Sequence, residues 1–555
     1  MSALASIQNQ LMWNRLLAVV EEQARTLVRA AFSPAVREGG DLSAGVFDAH
    51  GRMLAQAVTG TPGHVNTMAT AVPHFLEKYP LASMRPGDVY ITNDPWLASG
   101  HLHDVTIVSP AFFRSSCIGF FAATVHIVDV GGRGMGPDGL SVYEEGVLIP
   151  ILPLAREGEL NEDLLEILLA NSREPFEVKG DILAIIAAGN AGTDRLTHML
   201  HEFGRDDLEE LAQFVIERSR IATLKALSRL RTGSFSAEMT IDGYDDPVDL
   251  RARLTIGDSG LVVDFSGSSE QSRYGINVVE SYTRAYTTYG LMCAAAPLIP
   301  NNYGSMSCFQ IEAPSGSILA AKRPAPVSAR HIIGHALPDL VFGCLHQCLP
   351  HGVPAESGMM WNPYLRGPQR SKDRDAPWEL FLFNAGGMGA RPDRDGLSAT
   401  AFPSGIKNIP VEAAELAAPI FFHRKELRPN SGGPGRWRGG LGQIVEIASV
   451  DPQSPLRFSA MFDRVDNPAR GRGGAMPGAP GRVGFSDGSK GKSKGLQDVP
   501  LGERLVLELP GGGGVGDPLE RDRVLVSKDV VEGYVSEDSA RTIYGFEDTL
   551  DKEDR

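Results

Sequence analysis

The sequence predicts a mixed α+β, multi-domain fold. Apolar residues at spacings of three and four alternate with short apolar strand-like runs, and the 62 glycines among 555 residues gather toward the C-terminal end. Glycine at that level argues for tight turns and close backbone approaches rather than long helical bundles. Three regions are expected: an N-terminal α/β region over 1–232, a mixed α/β region over 233–410, and a Gly-rich, strand-rich region over 411–555. An opening helix follows from Leu16, Val19, Val20, Ala24, Leu27 and Val28. Asp48-Ala49-His50-Gly51, between two apolar runs, reads as a hairpin turn. Two strands follow at 104–113 and 118–130, joined by Arg114-Ser115-Ser116-Cys117. Residues 159–232 read as mainly helical. From 233 the pattern alternates with period two, as in a half-buried sheet. Asp517 and Pro518 read as the cap and first residue of a late helix. The charged last ten residues are expected to fray.

Composition excludes several function classes. A net charge of −15 disfavours a nucleic-acid partner. No window holds the ~18 uninterrupted apolar residues of a membrane span. The N-terminal segment lacks the basic run of a signal peptide, so a cytoplasmic location is expected. Five dispersed cysteines make no disulfide framework.

The chemistry concentrates in NDPWLASGHLHDVTIV, residues 93–108. A hairpin centred on Ser115 pairs positions that sum to 230, setting Asp104 opposite His126 on one face of the sheet. His101, just before the strand, can reach the same point. Two imidazoles and one carboxylate make a divalent-metal site with open positions, suited to zinc, manganese or iron. A one-residue slip would turn His126 to the other face. His103 points elsewhere on this reading. His331 and His335 have the spacing of helical zinc ligands but lack the Glu of that motif, so they read as packing or ligand-facing polar groups. Cys344 and Cys348 read as buried thiols. GKS at 491–493 is no phosphate loop, because Ser486 stands where glycine is required. PGGGGVGDP (510–518) reads as an anion site at a helix start or as a structural turn.

These motifs, with GGDLSAGVFDAHGRMLAQ (39–56), PGHVNTM (62–68), HIVDVGG (126–132), YEEGVLIP (143–150), VVDFSG (262–267), RPNSGGPGRWRGGLG (428–442), GGGGVGDPLERD (511–522) and VSEDSARTIYG (535–545), resemble the hydantoinase B/oxoprolinase family over nearly the whole chain. The resemblance implies the B subunit of an ATP-dependent enzyme acting on a small cyclic amide. ATP would sit on a hydantoinase A-like partner, which phosphorylates the substrate carbonyl oxygen, in a heteromer of two subunits of each kind. Metal ligands would fall on His101, Asp104 and His126, with Asp41 as a further ligand or a general base. His64 and Asp129 match family positions, His64 as a candidate catalytic group. Ile127 stands where relatives often carry a second histidine. A subunit of an acetone- or acetophenone-type carboxylase is the alternative; a non-haem iron oxygenase and a non-catalytic scaffold stand further off. The loops 431–442 and 470–495 suit an interface, an active-site edge or exposed turns, and Arg436, Trp437 and Arg438 favour the first of them as a contact surface.

Overall fold

The computed structural model describes residues 3–58, 61–257, 260–349, 352–368 and 377–546. Of the last ten residues only Phe546 is among them. Contacts divide the chain into two compact units, Met1–Met239 with Asp249–Leu349 and Pro403–Ile406, and Thr240–Val248 with Pro350–Phe402 and Lys407–Arg555. Compactness therefore cuts across the 233–410 region that composition delineated. Its earlier part packs with the N-terminal elements and most of 350–402 with the C-terminal strands.

The first unit is built on a seven-stranded antiparallel sheet. Its elements in chain order are α1 (Ala3–Ala30), α2 (Pro34–Arg37), β1 (Leu42–Asp48), β2 (Met53–Gln56), α3 (Pro62–Lys78), β3 (Val89–Thr92), β4 (Asp104–Phe113), β5 (Ser116–His126), β6 (Leu152–Arg156), β7 (Glu159–Leu160), α4 (Glu162–Ala170), α5 (Pro175–Phe203) and α6 (Glu209–Leu227). The sheet order is β2-β1-β5-β4-β3-β6-β7. The β1–β2 turn falls at the expected place. Asp48 Oδ1 accepts the His50 and Arg52 backbone N–H groups, both at 2.9 Å.

Both faces of this sheet are covered, so β1 is buried at all seven positions instead of alternating. Val108, Phe120 and Ala122 join Val65, Met68, Val72 and Phe75 of α3 in one core. On the other face α5 lies against β4 and β5. A Cβ at Gly192 would stand 2.6 Å from the Phe121 ring, so glycine there sets how closely α5 approaches.

The β4–β5 hairpin fixes the site. Asp104 pairs with His126, and the sum of 230 holds from there to Ala111–Gly119. Beyond that a bulge at Ala111/Phe112 shifts the register by one. The turn is consequently two residues, Arg114 and Ser115, both at positive φ, rather than the four expected. The bulge lies far enough from Asp104 to leave its pairing intact. Residues 127–130, expected to continue the strand, leave the ladder after His126.

A second sheet, β8 (Gly233–Ile241), β9 (Val248–Gly257), β10 (Gly260–Asp264) and β11 (Phe309–Glu312), has the alternating burial that its sequence pattern predicts. Helix α7 (Glu280–Ala295) follows β10 and packs on α3.

In the second unit, glycine-rich runs pack backbone to backbone. Gly433 N–H donates to the Gly512 carbonyl at 2.8 Å, Gly512 N–H to the Gly440 carbonyl at 3.0 Å, and Gly440 N–H to the Met388 carbonyl at 2.8 Å. The backbone of loop 431–442 is accordingly packed inside the unit; of the three residues that favoured it as a contact surface, Arg436 is exposed, Trp437 is half-buried and Arg438 is buried. Arg438 is buried and pairs with Asp529 at 3.1 Å, while Arg521 joins Asp529 at 2.8 Å and Asp395 at 2.7 Å. The 510–516 run is the structural alternative of the two weighed for it. Asp517 caps only a single 3₁₀ turn, Pro518–Glu520; the helix starts at Arg523 under Asp522. Residues 491–493 join the strands Arg482–Phe485 and Lys494–Asp498, without the helix a phosphate loop requires. Among the described residues no helix is long and apolar enough to cross a membrane.

Gly192→Val inserts a branched side chain between α5 and Phe121. Urea denaturation is expected to show a loss of roughly 1–3 kcal/mol; an unchanged midpoint would mean that the helix can step back freely.

Candidate metal centre

Strand parity places the site. Asp104, Thr106 and Val108 face α3 from β4, and Ala122, Thr124 and His126 face it from β5. The first α3 turn, capped by Thr61 Oγ1 on the His64 N–H, aims His64 at the same point. Asp104 is thereby enclosed. His101 Nε2 lies 2.7 Å and His126 Nδ1 3.1 Å from its Oδ1. His64 Nε2 lies 2.9 Å from its Oδ2, which Arg330 also contacts. One donor atom from each of His101, Asp104 and His126 falls within a common 4.8 Å. Asp41 stands outside that trio, its Oδ1 3.6 Å from His64 Nδ1.

The electrostatics follow from burial. Desolvation alone would raise Asp104, but His101, His64 and Arg330 together hold it well below the usual carboxylate range. Burial raises Asp41, and His64 and His126 offset this only in part. His64 is buried too, which disfavours its charge, yet Asp104 and Asp41 overcome this and raise it. His101 is pushed down to about 3 by burial and then by Arg330.

The donor set fits a divalent cation. His101 Nδ1 lies 2.9 Å from the Ser328 carbonyl, which can only accept, so Nδ1 carries the ring proton. Near neutral pH the ring is uncharged and Nε2 presents a lone pair. That lone pair faces a carboxylate oxygen at 2.7 Å. Two acceptors in contact repel, and a divalent cation held by both would relieve that repulsion.

The other candidates fall elsewhere. Asp129 is bound to Arg173 at 2.7 Å and to the Gly131 N–H at 2.9 Å. His103 is fully buried, stacked on His126 with centroids 5.5 Å apart, and neither ring nitrogen has a hydrogen-bond partner. His331 and His335 are buried with centroids 5.7 Å apart. Burial lowers both, His335 to about 3. Cys344 and Cys348 are buried free thiols, as expected.

Sequence reasoning missed Arg330, Ser328 and Glu145. Arg330 contacts Asp104, donates through Nε to the Ser99 carbonyl at 2.5 Å, and lies 4.1 Å over the Tyr282 ring. Glu145 Oε1 accepts the Val327 and Ser328 N–H groups at 2.7 and 2.8 Å, fixing the turn whose carbonyl holds His101. The one available signal was adjacency: Arg330 directly precedes the HIIGH motif.

Glu145 supplies a pH test. Burial raises its carboxyl from 4.5 to about 8, against the two backbone N–H groups that lower it. The folded chain therefore keeps a proton that the unfolded chain has lost over that interval. This contribution to stability is full below about pH 4.5 and is lost as pH rises through about 8. Glu145→Gln has no such proton. Its stability relative to wild type should rise between pH 5 and 8.5, by a few kcal/mol at most. Urea curves at the two pH values measure this; a constant difference would mean that Glu145 is ionised throughout.

Comparison with known proteins gives a consistent result. The chain is 28% identical to the caprolactamase beta subunit of Pseudomonas jessenii, over 94% of this chain and 93% of that one. The crystal structure of the ATP-dependent caprolactamase from the same organism superposes with a TM-score of 0.87 at 25% identity, covering 97% and 96%. A 5-oxoprolinase of Pestalotiopsis fici is 27% identical over 95% of this chain, which spans 42% of that longer protein. Nucleotide-free acetone carboxylase shares the fold, with a TM-score of 0.87 at 20% identity and coverage of 97% and 79%. The hydantoinase B/oxoprolinase family model matches residues 5–518, and the chain belongs to that family.

Proposed function

We propose that this chain is the metal-binding B subunit of a cytoplasmic, ATP-dependent cyclic amidohydrolase, acting with a hydantoinase A-like partner that binds ATP, two copies of each. The observation that carries this reading is the convergence of His64, His101 and His126 on one buried carboxylate, Asp104. Hydrolysis is favoured over carboxylation because the likeness to caprolactamase covers nearly all of that chain at 25% identity, while acetone carboxylase is covered over 79% at 20%.

His101, Asp104 and His126 would hold the metal. A bound divalent cation lowers the pKa of water to about 7 and so supplies hydroxide at neutral pH. Amide resonance makes a lactam carbonyl a poor electrophile; phosphorylation of its oxygen on the partner would leave an imidate-like carbon open to attack. Asp41, with its carboxyl raised by burial, is suited to accept the proton of the attacking water. His64, held through Nε2 on Asp104, brings Nδ1 to 3.6 Å from Asp41 Oδ1, a charge contact without a hydrogen bond.

Metal analysis of purified chain tests the ligand set. His126→Ala should retain less than about one tenth of the wild-type metal. Lactam hydrolysis should require ATP and the co-expressed partner, and the chain alone should not hydrolyse ATP. Equal metal in both proteins would overturn the ligand set, and ATPase activity in the lone chain would overturn the division of labour.

A further inference from the structure

Arg330 brings a permanent positive charge to a centre that is built to hold a cation. An arginine does not lose its proton in a protein. Its side chain is buried and held at three points. Nη2 contacts Asp104 Oδ2, Nε donates to the Ser99 carbonyl at 2.5 Å, and the guanidinium carbon lies 4.1 Å over the Tyr282 ring. Gly100, at a φ of +89°, makes room for it: a Cβ there would stand 2.8 Å from Arg330 Cδ. The backbone is thus shaped to admit the guanidinium.

The two oxygens of Asp104 are divided between different neighbours. Oδ1 faces His101 Nε2 at 2.7 Å and His126 Nδ1 at 3.1 Å, the partners of the candidate ligand trio. Oδ2 faces Arg330 and His64 Nε2. The guanidinium therefore leaves Oδ1 open to a metal while it offsets the charge of the carboxylate that bears it. Asp41 and His64, 3.6 Å apart, form a second pair beside it. With the His101 ring uncharged, the trio and Arg330 together offer a divalent cation no net negative charge. Two cations that satisfy one carboxylate weaken each other's hold on it, and the coupling is reciprocal.

We propose that Arg330 opposes the metal electrostatically: by offsetting Asp104 it weakens the hold of the trio on a divalent cation and leaves the charge of that cation unneutralised. This rests on the metal-binding reading. An ion whose charge its ligands do not neutralise is the stronger Lewis acid, so affinity is given up for reactivity. Arg330 is on this account a positioning residue that acts through Asp104. The sign of its effect separates this role from a structural one. An arginine that only braced the site would strengthen metal binding; this one weakens it.

Zinc affinity of the full chain, measured by competition with a chromogenic chelator, tests this; zinc suits mixed nitrogen and oxygen ligands and binds such a set tightly. Arg330→Met, which keeps the length and removes the charge, should bind zinc at least about tenfold more tightly than wild type. Arg330→Lys, which keeps the charge and loses the fork, should stay within about threefold of wild type. Urea curves read the same coupling from the other side. In chelator the methionine variant should be less stable than wild type, and zinc should stabilise it by more than it stabilises wild type. Arg330→Gln is neutral and still able to donate, and serves if the methionine variant does not fold. Zinc held equally or more weakly by the neutral variants would overturn the inference and leave the ligand set standing. Equal tightening in the lysine variant would overturn it too, because the effect would then not be one of charge. Wild type that binds no zinc, or binds it undiminished in His126→Ala, would remove the ligand set and this inference with it.

Discussion

The burial of Asp104 constrains everything around it. A carboxylate without solvent is costly unless charge and hydrogen bonds replace the water. Here His64 from α3 and Arg330 from beyond α7 supply it at Oδ2 and His126 from the end of β5 lies at Oδ1, while the uncharged His101 ring, from the loop before β4, closes the enclosure. Removing His64 or Arg330 leaves charge uncompensated in a dry interior. The segments that carry these groups are therefore tied together by the site as much as by the apolar core.

The fold meets this constraint by covering the sheet on both faces. Helix α3 presses on the face that carries Asp104 and His126, and α5 closes the other side, with Gly192 admitting the Phe121 ring. The Ser328 carbonyl fixes the His101 tautomer, and Glu145 fixes Ser328 through the preceding N–H groups. His101 is thus oriented by a chain of contacts that begins at a carboxyl with no contact to the ring itself. Such outer contacts set the direction of a ligand's lone pair, which a ligand list alone does not specify.

Some of this was legible in the sequence. The Asp104–His126 pairing follows from hairpin arithmetic, and it survives the misplaced turn because the bulge lies at Ala111/Phe112, beyond the site. Asp41 and His64 carried no local pattern of their own and were reached only through family resemblance. Arg330, Ser328 and Glu145 were not legible, because tertiary packing and not periodicity brings residues 145 and 328–330 to His101. Glycine left alternatives open in the second unit. A run such as 431–442 reads the same whether it is an exposed turn or, as here, a strip pressed against other backbone. Only the partners, Gly512 and Met388, distinguish the two.

Anomalous diffraction from crystals of purified chain, recorded at the absorption edges of zinc, manganese and iron, tests the central claim most directly. The account predicts a single peak within about 2.0–2.2 Å of nitrogen atoms of His101 and His126 and of an oxygen of Asp104. No peak at that point, with Asp104 satisfied by Arg330 and the histidines alone, would contradict it.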